Sequence, residues 1–202
     1  MSKAFFKNVL VLSPHTDDGE LAAGGTIARF IHEGSNVTYI ALSAPRPELH
    51  EECWKCLEVL GVDDYSILDF PRRIFPEKRQ EILQYIYDYN AENDVDLVLT
   101  PSTQDLHQDH QTVTREAMRA FKNSSILGYE LPWNHIVFNE NCYISLDEEH
   151  VEKKLLALSQ YKTQETRHYF NMDYLKGLMR SRGVHIKSKF AESFEVIKLV
   201  LT

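Results

Sequence analysis

The feature that most constrains how this chain folds is its alternation of short apolar runs with amphipathic segments. The first apolar run, at residues 9–12, ends in Ser13 and Pro14, as a buried parallel strand does. Strands that alternate with helices predict a parallel sheet covered by helices on both faces. A chain of 202 residues has the length of one domain with a sizeable core. We therefore predict an α/β fold, a single Rossmann-like, doubly wound domain over residues 1–202 with a mostly parallel central sheet.

The apolar periodicity and the turn residues also predict the individual elements. Strands are predicted at residues 9–12, 37–42, 65–68, 96–100, 136–138, 143–145 and 194–201, with a further strand near Glu130. Helices are predicted at residues 20–33, 51–60 and 111–121, with a long helix opened by Pro76 and another that extends to about residue 161. Ser145 and Glu148 form a capping-box pattern at the start of that last helix. The basic segment 163–189 is predicted as loops with room for one helix.

Composition and charge exclude several classes of function. A formal net charge of −8 argues against nucleic-acid binding and against a polybasic membrane anchor, because both require a basic surface. No apolar run reaches the ~18 residues of a membrane span, and residues 1–8 lead directly into the first strand, which argues against a signal peptide. Three cysteines suggest no disulfide framework, so the cytoplasm is the expected compartment. Cys53 and Cys56 have redox-pair spacing, but their position inside a predicted helix favours two ordinary thiols.

Two clusters of imidazoles and carboxylates follow predicted strands. The first, PHTDDGE at residues 14–20, follows the strand at 9–12, and the second, DLHQDH at residues 105–110, follows the strand at 96–100. In a doubly wound fold, ligands bind beyond the carboxyl ends of the strands. We expect these two strands to be near neighbours in the centre of the sheet, which would bring the clusters together.

The residue types in these clusters are those of a catalytic metal centre. Zinc in a hydrolase takes three protein ligands and leaves a position for water, whose pKa it lowers to about 7. His15, Asp18 and His110 can supply those three ligands. Asp17 is then beside the metal and is a candidate base for the water.

Two further residues of the second cluster have candidate roles. His107 can donate to a developing oxyanion, and Asp109 can orient one of the two ligand histidines. The simpler interpretation of either cluster alone is a set of polar residues that cap a helix and interact with its dipole. Two such clusters at strand ends of one small sheet favour the metal site.

Two adjacent glycines, Gly24 and Gly25, fall inside the predicted helix that follows the first cluster. Each costs about 1 kcal/mol relative to alanine in a helix interior. We therefore expect this helix to approach either the sheet or the second cluster closely. The spacing does not fit G-x-G-x-x-G, so a dinucleotide fingerprint is not supported.

The two clusters together resemble the motifs of the PIG-L/LmbE-like deacetylase family. Residues 14–20, followed by Gly-Gly-Thr at residues 24–26, resemble its opening motif, a His-Pro-Asp-Asp-Glu run followed by Gly-Gly-Thr. Residues 105–110 are similar to its second motif, with the closing Asp-His. The family's members hydrolyse N-acetyl groups from GlcNAc-bearing substrates such as glycolipid precursors and thiol glycosides.

The resemblance extends over nearly the whole chain, with two departures. Glu52 with residues 60–61 looks like the family's glutamate-containing helix, and residues 191–194 look like its C-terminal motif. Thr16 stands where the family usually has proline, and Gly19 stands between the second aspartate and the glutamate of the opening motif.

The resemblance implies the same division of labour as the residue types do. It implies that His15, Asp18 and His110 bind a zinc ion. It further implies that Asp17 is the general base and that His107 helps to stabilise the tetrahedral oxyanion.

The family often carries an arginine three residues before the helix glutamate. Leu49 occupies that position here and Arg46 lies nearby, so we predict Arg46 as a substrate contact. We predict Trp133 as a second one, through stacking on a sugar face.

We therefore predict a cytoplasmic, zinc-dependent hydrolase that removes the acetyl group from an N-acetylated amino sugar, with Fe²⁺ as the alternative metal. The expected partner is a small amino-sugar substrate, free or nucleotide- or lipid-linked, and homo-oligomerisation is compatible with the sequence. Two alternatives stay open: another metal-dependent amide hydrolase with a non-sugar substrate, and a non-catalytic metal- or sugar-binding module. Asp17 favours the enzyme, because a pure binder has no use for a second carboxylate beside the metal.

Overall fold

The computed structural model describes residues 5–201 and is organised around a seven-stranded sheet. The strands are β1 Asn8–Ser13, β2 Asn36–Ala41, β3 Asp64–Ile67, β4 Leu97–Pro101, β5 Ser125–Tyr129, β6 Cys142–Leu146 and β7 Phe190–Lys198. The helices are α1 Asp18–His32, α2 Pro47–Leu60, α3 Phe75–Glu92, α4 Gln108–Ala120, α5 Glu148–Leu158 and α6 Met172–His185. Short 3₁₀ turns lie at Pro132–Asn134, Lys162–Gln164 and His168–Phe170.

The order of the strands is β3-β2-β1-β4-β5-β7-β6. The first five are parallel, and β7 runs antiparallel to both of its neighbours. This confirms the predicted α/β, doubly wound, mostly parallel architecture. β1 and β4 pair directly, with Val9 opposite Leu97, so the loops that follow them emerge side by side. Residues 1–4 belong to the segment that the sequence analysis argued is not a signal peptide, and they lie outside the described residues. A single domain over residues 1–202 stays a prediction.

Alternation along each strand builds one core on each face of the sheet. In β1, Val9 and Val11 pack with α1, α2 and α5, whereas Leu10 and Leu12 pack with α3 and α4. Every one of these β1 side chains is buried, which is why the run reads as continuously apolar. The helices on both faces leave the carboxyl ends of β1 and β4 free to carry a site.

The paired glycines lie where α1 packs closely against α5 and the C-terminal strands. A Cβ atom on Gly25 would lie 2.5 Å from Leu146 Cδ1, and one on Gly24 would lie 2.9 Å from Lys154 Cγ. The buried carboxylate of Glu192 accepts a hydrogen bond from the Gly25 N–H (3.0 Å) and forms an ion pair with Lys154 (2.6 Å). The close approach that we expected is therefore to the sheet and α5, and not to the second cluster.

Two predicted local features are wrong. Residues 136–138 form no strand, and Ile136 and Val137 are exposed. The α5 helix is capped by Asp147, which exchanges capping-box hydrogen bonds with His150, because Ser145 still belongs to β6.

The cysteines are ordinary buried or half-buried thiols. All three are free, and Cys53 and Cys56 lie on the buried face of α2, within the core. Burial raises the pKa of both thiols well above the ordinary value, so neither is a ready thiolate for redox chemistry. Within residues 5–201, no helix is both long and apolar enough to cross a bilayer.

Candidate active site

The loop after β1 is folded by its own hydrogen bonds. Ser13 Oγ donates to the backbone oxygen of His15 (2.5 Å) and accepts from the Gly19 N–H (3.0 Å). Asp17 has a left-handed backbone with φ of 89°, which aspartate tolerates better than most residues. Asp18 begins α1, and its Oδ2 accepts from the His15 N–H (3.0 Å). This turn brings the side chains of His15 and Asp18 together.

Asp105 organises the loop after β4. Its Oδ1 accepts from the His107 N–H (2.8 Å), and its Oδ2 lies 2.8 Å from His110 Nδ1. His107 is the N-cap of α4, where its Nδ1 accepts from the Asp109 N–H (3.2 Å). In a neutral ring this places the remaining proton on Nε2, so His107 offers a donor on its other side.

Three atoms from the two loops form a compact triangle. His15 Nδ1 and Asp18 Oδ2 are 3.1 Å apart, Asp18 Oδ2 and His110 Nε2 are 3.1 Å apart, and the two nitrogens are 3.3 Å apart. The other ring nitrogens face carboxylates, His15 Nε2 at 2.9 Å from Asp109 and His110 Nδ1 at 2.8 Å from Asp105. Because carboxylates accept, those nitrogens carry the protons, and the triangle atoms direct lone pairs at one point. Ligands of tetrahedral zinc lie about 3.3 Å apart, so this donor set fits the ion.

The charges around the triangle shift the pKa values of its members. Burial lowers the pKa of His110, but Asp18 and Asp105 outweigh this effect and raise it to about 10. Burial raises the pKa of Asp18, but the neighbouring His110 and His15 outweigh it and hold it well below its usual range. In the metal-free protein a proton on His110 therefore supplies the positive charge that the converging lone pairs require.

His107 is a competing ligand. Its ring stacks on His110 with centroids 4.6 Å apart, and one nitrogen from each of His15, His107 and His110 lies within 4.8 Å of the other two. We favour Asp18 as the third ligand, because its oxygen is 3.1 Å from both of the other ligand atoms and because His107 Nδ1 is engaged by the α4 backbone. Burial, together with repulsion from His110 and His15, lowers the pKa of His107, so its ring is a neutral donor.

A second group with metal-like spacing lies outside this site. His32, Glu149 and His150 each offer an atom within 4.8 Å of the other two. His150 Nδ1 accepts from the Asp147 N–H (3.1 Å), so the proton of its neutral ring is on Nε2, the atom that faces the group. We therefore interpret this group as a hydrogen-bonded cluster.

The triangle borders a cavity of about 250 Å³. Asp17, His107 and Trp133 line this cavity, as the sequence predicts. Arg46 does not, and lines a separate shallow cavity with Pro47 and His50. The structure therefore places Arg46 outside the metal-side cavity, and its role as a substrate contact stays a prediction. Further lining residues are Arg72, Arg73, Asn134, Gln164, Arg167 and Tyr169.

Asp17 borders the cavity beside the triangle without contributing an atom to it. Burial, followed by repulsion from Asp18 and Glu20, raises the pKa of Asp17 well above its ordinary value. A raised pKa is what a carboxylate base needs in order to accept a proton near neutral pH.

Glu20 does not reach the cavity. It lies on the buried face of α1, where its carboxylate accepts hydrogen bonds from the hydroxyls of Tyr39 and Tyr161. A Cβ atom at position 19 would lie 2.8 Å from the Tyr39 oxygen, so Gly19 makes room for this contact. Packing against Tyr39 therefore explains why glycine occupies position 19, between the second aspartate and the glutamate of the opening motif.

One wall of the cavity is built by the segment after α5. Glu52 accepts from both the N–H (2.8 Å) and the hydroxyl (2.6 Å) of Thr163, which anchors this segment to α2. Tyr169 then stacks on Trp133 with centroids 4.2 Å apart and an interplanar angle of 14°. The predicted sugar-stacking tryptophan therefore already has one face covered.

Several residues that the structure brings to the site had no role predicted from the sequence, among them Asp105, Arg72, Arg73 and Arg167. Asp105 had a usable signal, an acidic residue within the second cluster. Arg72, Arg73 and Arg167 had none, since they come from two segments about 95 residues apart that contain no motif.

Comparisons with known proteins agree with this geometry. Residues 10–121 match the family model described as PIG-L, GlcNAc-PI de-N-acetylase. The uncharacterised deacetylase YaiS of Escherichia coli K12 is 28% identical over 169 residues, which cover 78% of this chain and 91% of that protein.

Two solved structures show the same fold. GalB, the 4-carboxy-2-hydroxymuconate hydratase of Pseudomonas putida KT2440, has a TM-score of 0.82 at 20% identity, covering 97% of this chain and 98% of its own. The N,N'-diacetylchitobiose deacetylase of Pyrococcus horikoshii has a TM-score of 0.72 at 18% identity, covering 96% and 84%. The family match runs from β1 through α4 and includes both loops of the site. Since it covers more than half of the sequence, the chain belongs to the PIG-L family of de-N-acetylases, as its two motifs predict.

Proposed function

We propose that this protein is a zinc-dependent N-deacetylase that hydrolyses the acetamide of an amino sugar. One observation carries the proposal: His15, Asp18 and His110 place three ligand atoms 3.1–3.3 Å apart, while Asp17 borders the same cavity without joining them. The family supports the deacetylase type. The names of the family model and of the Pyrococcus horikoshii neighbour support an N-acetylated sugar as the substrate.

The proposed chemistry divides the work among the cavity residues. His15, Asp18 and His110 would hold the ion, which would supply Lewis acidity to polarise a carbonyl and lower the pKa of a water molecule. Asp17 accepts the proton of the attacking water and passes it to the leaving amine. His107 donates through Nε2 to the carbonyl oxygen as negative charge develops there.

Asp105 and Asp109 are positioning residues. Each accepts the ring proton of one ligand histidine, at 2.8 and 2.9 Å, and so keeps the opposite nitrogen free of a proton. The two-histidine, one-carboxylate set also suits Fe²⁺, and metal analysis of protein from defined growth medium distinguishes the two ions. We keep the cytoplasm as the proposed compartment.

Acetate release from a substrate panel tests the proposed reaction. The panel contains N-acetylhexosamines, free and nucleotide-linked, with N-acetyl-lysine peptides as the non-sugar arm. We expect acetate from at least one sugar, its loss with chelator and its recovery with added zinc. Release from the peptides alone would move the protein to the non-sugar alternative. No release by protein that carries one metal per chain would refute the deacetylase.

The adjacent aspartates provide a matched pair of variants. Asp18→Asn replaces a charged ligand by a neutral one and should weaken metal binding. Asp17→Asn keeps its shape but accepts no proton, so metal should stay while turnover falls by about 10²–10⁴-fold. Metal content and rate are measured side by side. Normal turnover of Asp17→Asn would remove it as the base, and loss of its metal would exchange the two roles. GalB has the same fold and is a hydratase, so the fold alone does not establish a deacetylase. The two aspartate variants test the residues of the site directly.

A further inference from the structure

Three arginines lie on the wall of the active-site cavity. Arg72 and Arg73 lie between β3 and α3, Arg167 lies between two 3₁₀ turns, and all three residues line the cavity. No carboxylate lies within 4.0 Å of their guanidinium groups among residues 5–201, whereas Arg29 and Arg182 form ion pairs elsewhere. Three arginines without an ion pair among residues 5–201 therefore line one cavity of a chain that has 30 acidic and 22 basic residues overall.

The arginines line the same cavity as Asp17 and the ligand triangle. The stacked rings of Trp133 and Tyr169 line it as well. With a divalent ion bound, three guanidinium groups and that ion outweigh Asp17 and Asp18. The cavity is then formally positive.

The backbone of the Arg72–Arg73 segment is held in a costly conformation. Arg73 has a φ of 72°, the left-handed region that side chains other than glycine avoid. Its N–H donates to Asp109 (2.6 Å), and its carbonyl accepts from Gln108. This strain is maintained at the cavity by the loop that carries the metal ligands, which is typical of segments under a functional constraint.

We propose that this arginine cluster binds an oxyanion of the substrate, a phosphate or a carboxylate, and that the enzyme acts on acidic derivatives of N-acetyl amino sugars. The planar guanidinium group matches both oxyanions through paired hydrogen bonds. A cavity of about 250 Å³ is small for a ligand site, which favours one sugar ring with a compact charged substituent. The proposal rests on the deacetylase function proposed above.

The kinetic test compares charged and neutral substrates on the zinc-loaded enzyme. The substrates are N-acetylglucosamine 1-phosphate, an N-acetylglucosaminide with a carboxylate-bearing aglycone, and neutral methyl N-acetylglucosaminide. The variants are Arg72→Gln and Arg167→Gln, with Arg115→Gln as the matched control because it is exposed on α4 and does not line the cavity. We expect each cavity variant to lower kcat/KM for one acidic substrate by about 10- to 100-fold, mainly through KM, and to lower it less for the neutral one, so that the preference for the acidic substrate falls.

A binding measurement separates this proposal from the proposed function. Glucosamine 1-phosphate and methyl glucosaminide carry no acetyl group, so calorimetric titration reports recognition without turnover. Arginine-dependent binding of the phosphate by a protein that releases no acetate would retain the oxyanion subsite and reject the deacetylase. Equal turnover of neutral and acidic substrates, or equal effects of both cavity variants on all three, would overturn the oxyanion subsite while the deacetylase stands. Preference for the phosphate or for the carboxylate identifies the group that is bound.

Discussion

Replacing Asp105 with asparagine should abolish tight metal binding, although the two side chains have the same shape. Asp105 Oδ1 accepts from the His107 N–H (2.8 Å), a donor whose direction is fixed by the backbone. Asparagine must therefore turn its oxygen towards His107 and its amino group towards His110. The amino group favours the His110 tautomer in which Nδ1 accepts and Nε2 carries the proton. Nε2 is the atom that belongs to the ligand triangle, so the proton blocks the metal position.

Two effects add to the expected loss of affinity. Removal of a carboxylate that orients a ligand histidine typically costs 10- to 100-fold in metal affinity. Restoring the binding tautomer would make two N–H groups face each other at a position that is 0% exposed, a penalty of about 1–3 kcal/mol, or roughly 5- to 150-fold. We therefore expect the zinc dissociation constant of Asp105→Asn to rise by about 10²–10⁴-fold.

Competition with a chromophoric chelator measures this affinity. Nitrogen-15 spectra of metal-free Asp105→Asn, recorded over a range of pH, report the protonation state of His110 and the tautomer of its neutral ring, and thermal unfolding reports whether the buried substitution destabilises the fold. Asn134→Ala is the matched control, since it removes only the hydrogen bond of 3.3 Å to the same carboxylate. Wild-type zinc affinity in folded Asp105→Asn, or a neutral His110 ring that carries its proton on Nδ1 in this variant, would refute the reasoning.

Two further predictions concern the histidines. His107→Ala should lower kcat by about a hundredfold with metal content unchanged, because one oxyanion donor is lost; a parallel loss of metal would make His107 a ligand in place of Asp18. The raised pKa of His110, about 10 in the metal-free protein, means that a bound proton must leave before the metal binds. Zinc affinity at constant ionic strength should therefore rise with pH, by up to about tenfold per unit between about pH 7 and 9. A flat profile would contradict the raised pKa.

The elements that the sequence predicts well are those whose local pattern reports burial directly. The apolar run of β1 is buried on both faces, and its strand is found within two residues of the predicted bounds. The apolar run at residues 136–138 has a similar composition but no strand beside it to pair with. β7 occupies the free edge of β5 and also pairs with β6, so the connection between β5 and β6 passes outside the sheet. Whether residues 136–138 form a strand therefore depends on where residues 190–198 pair, and the local pattern at 136–138 does not contain that information.

The candidate site divides in the same way. Its ligand atoms come from loops that directly follow β1 and β4, so motif spacing and strand adjacency suffice to predict that they meet. Arg167 reaches the cavity on a segment that Glu52 anchors through Thr163, a contact between residues more than a hundred positions apart in the sequence. Arg73 is placed by Asp109, whose carboxylate accepts from the Arg73 N–H (2.6 Å) and also faces His15 Nε2 (2.9 Å).

Asp109 therefore belongs to both halves of the site. One of its oxygens fixes the tautomer of a ligand histidine and the strained backbone of a cavity arginine, so these two geometries cannot vary independently. Asp105 differs, because among residues 5–201 its carboxylate contacts His107, His110 and Asn134 and none of the cavity arginines. The carboxylate behind His110 is therefore independent of the arginine cluster, whereas the one behind His15 couples the metal position to that cluster.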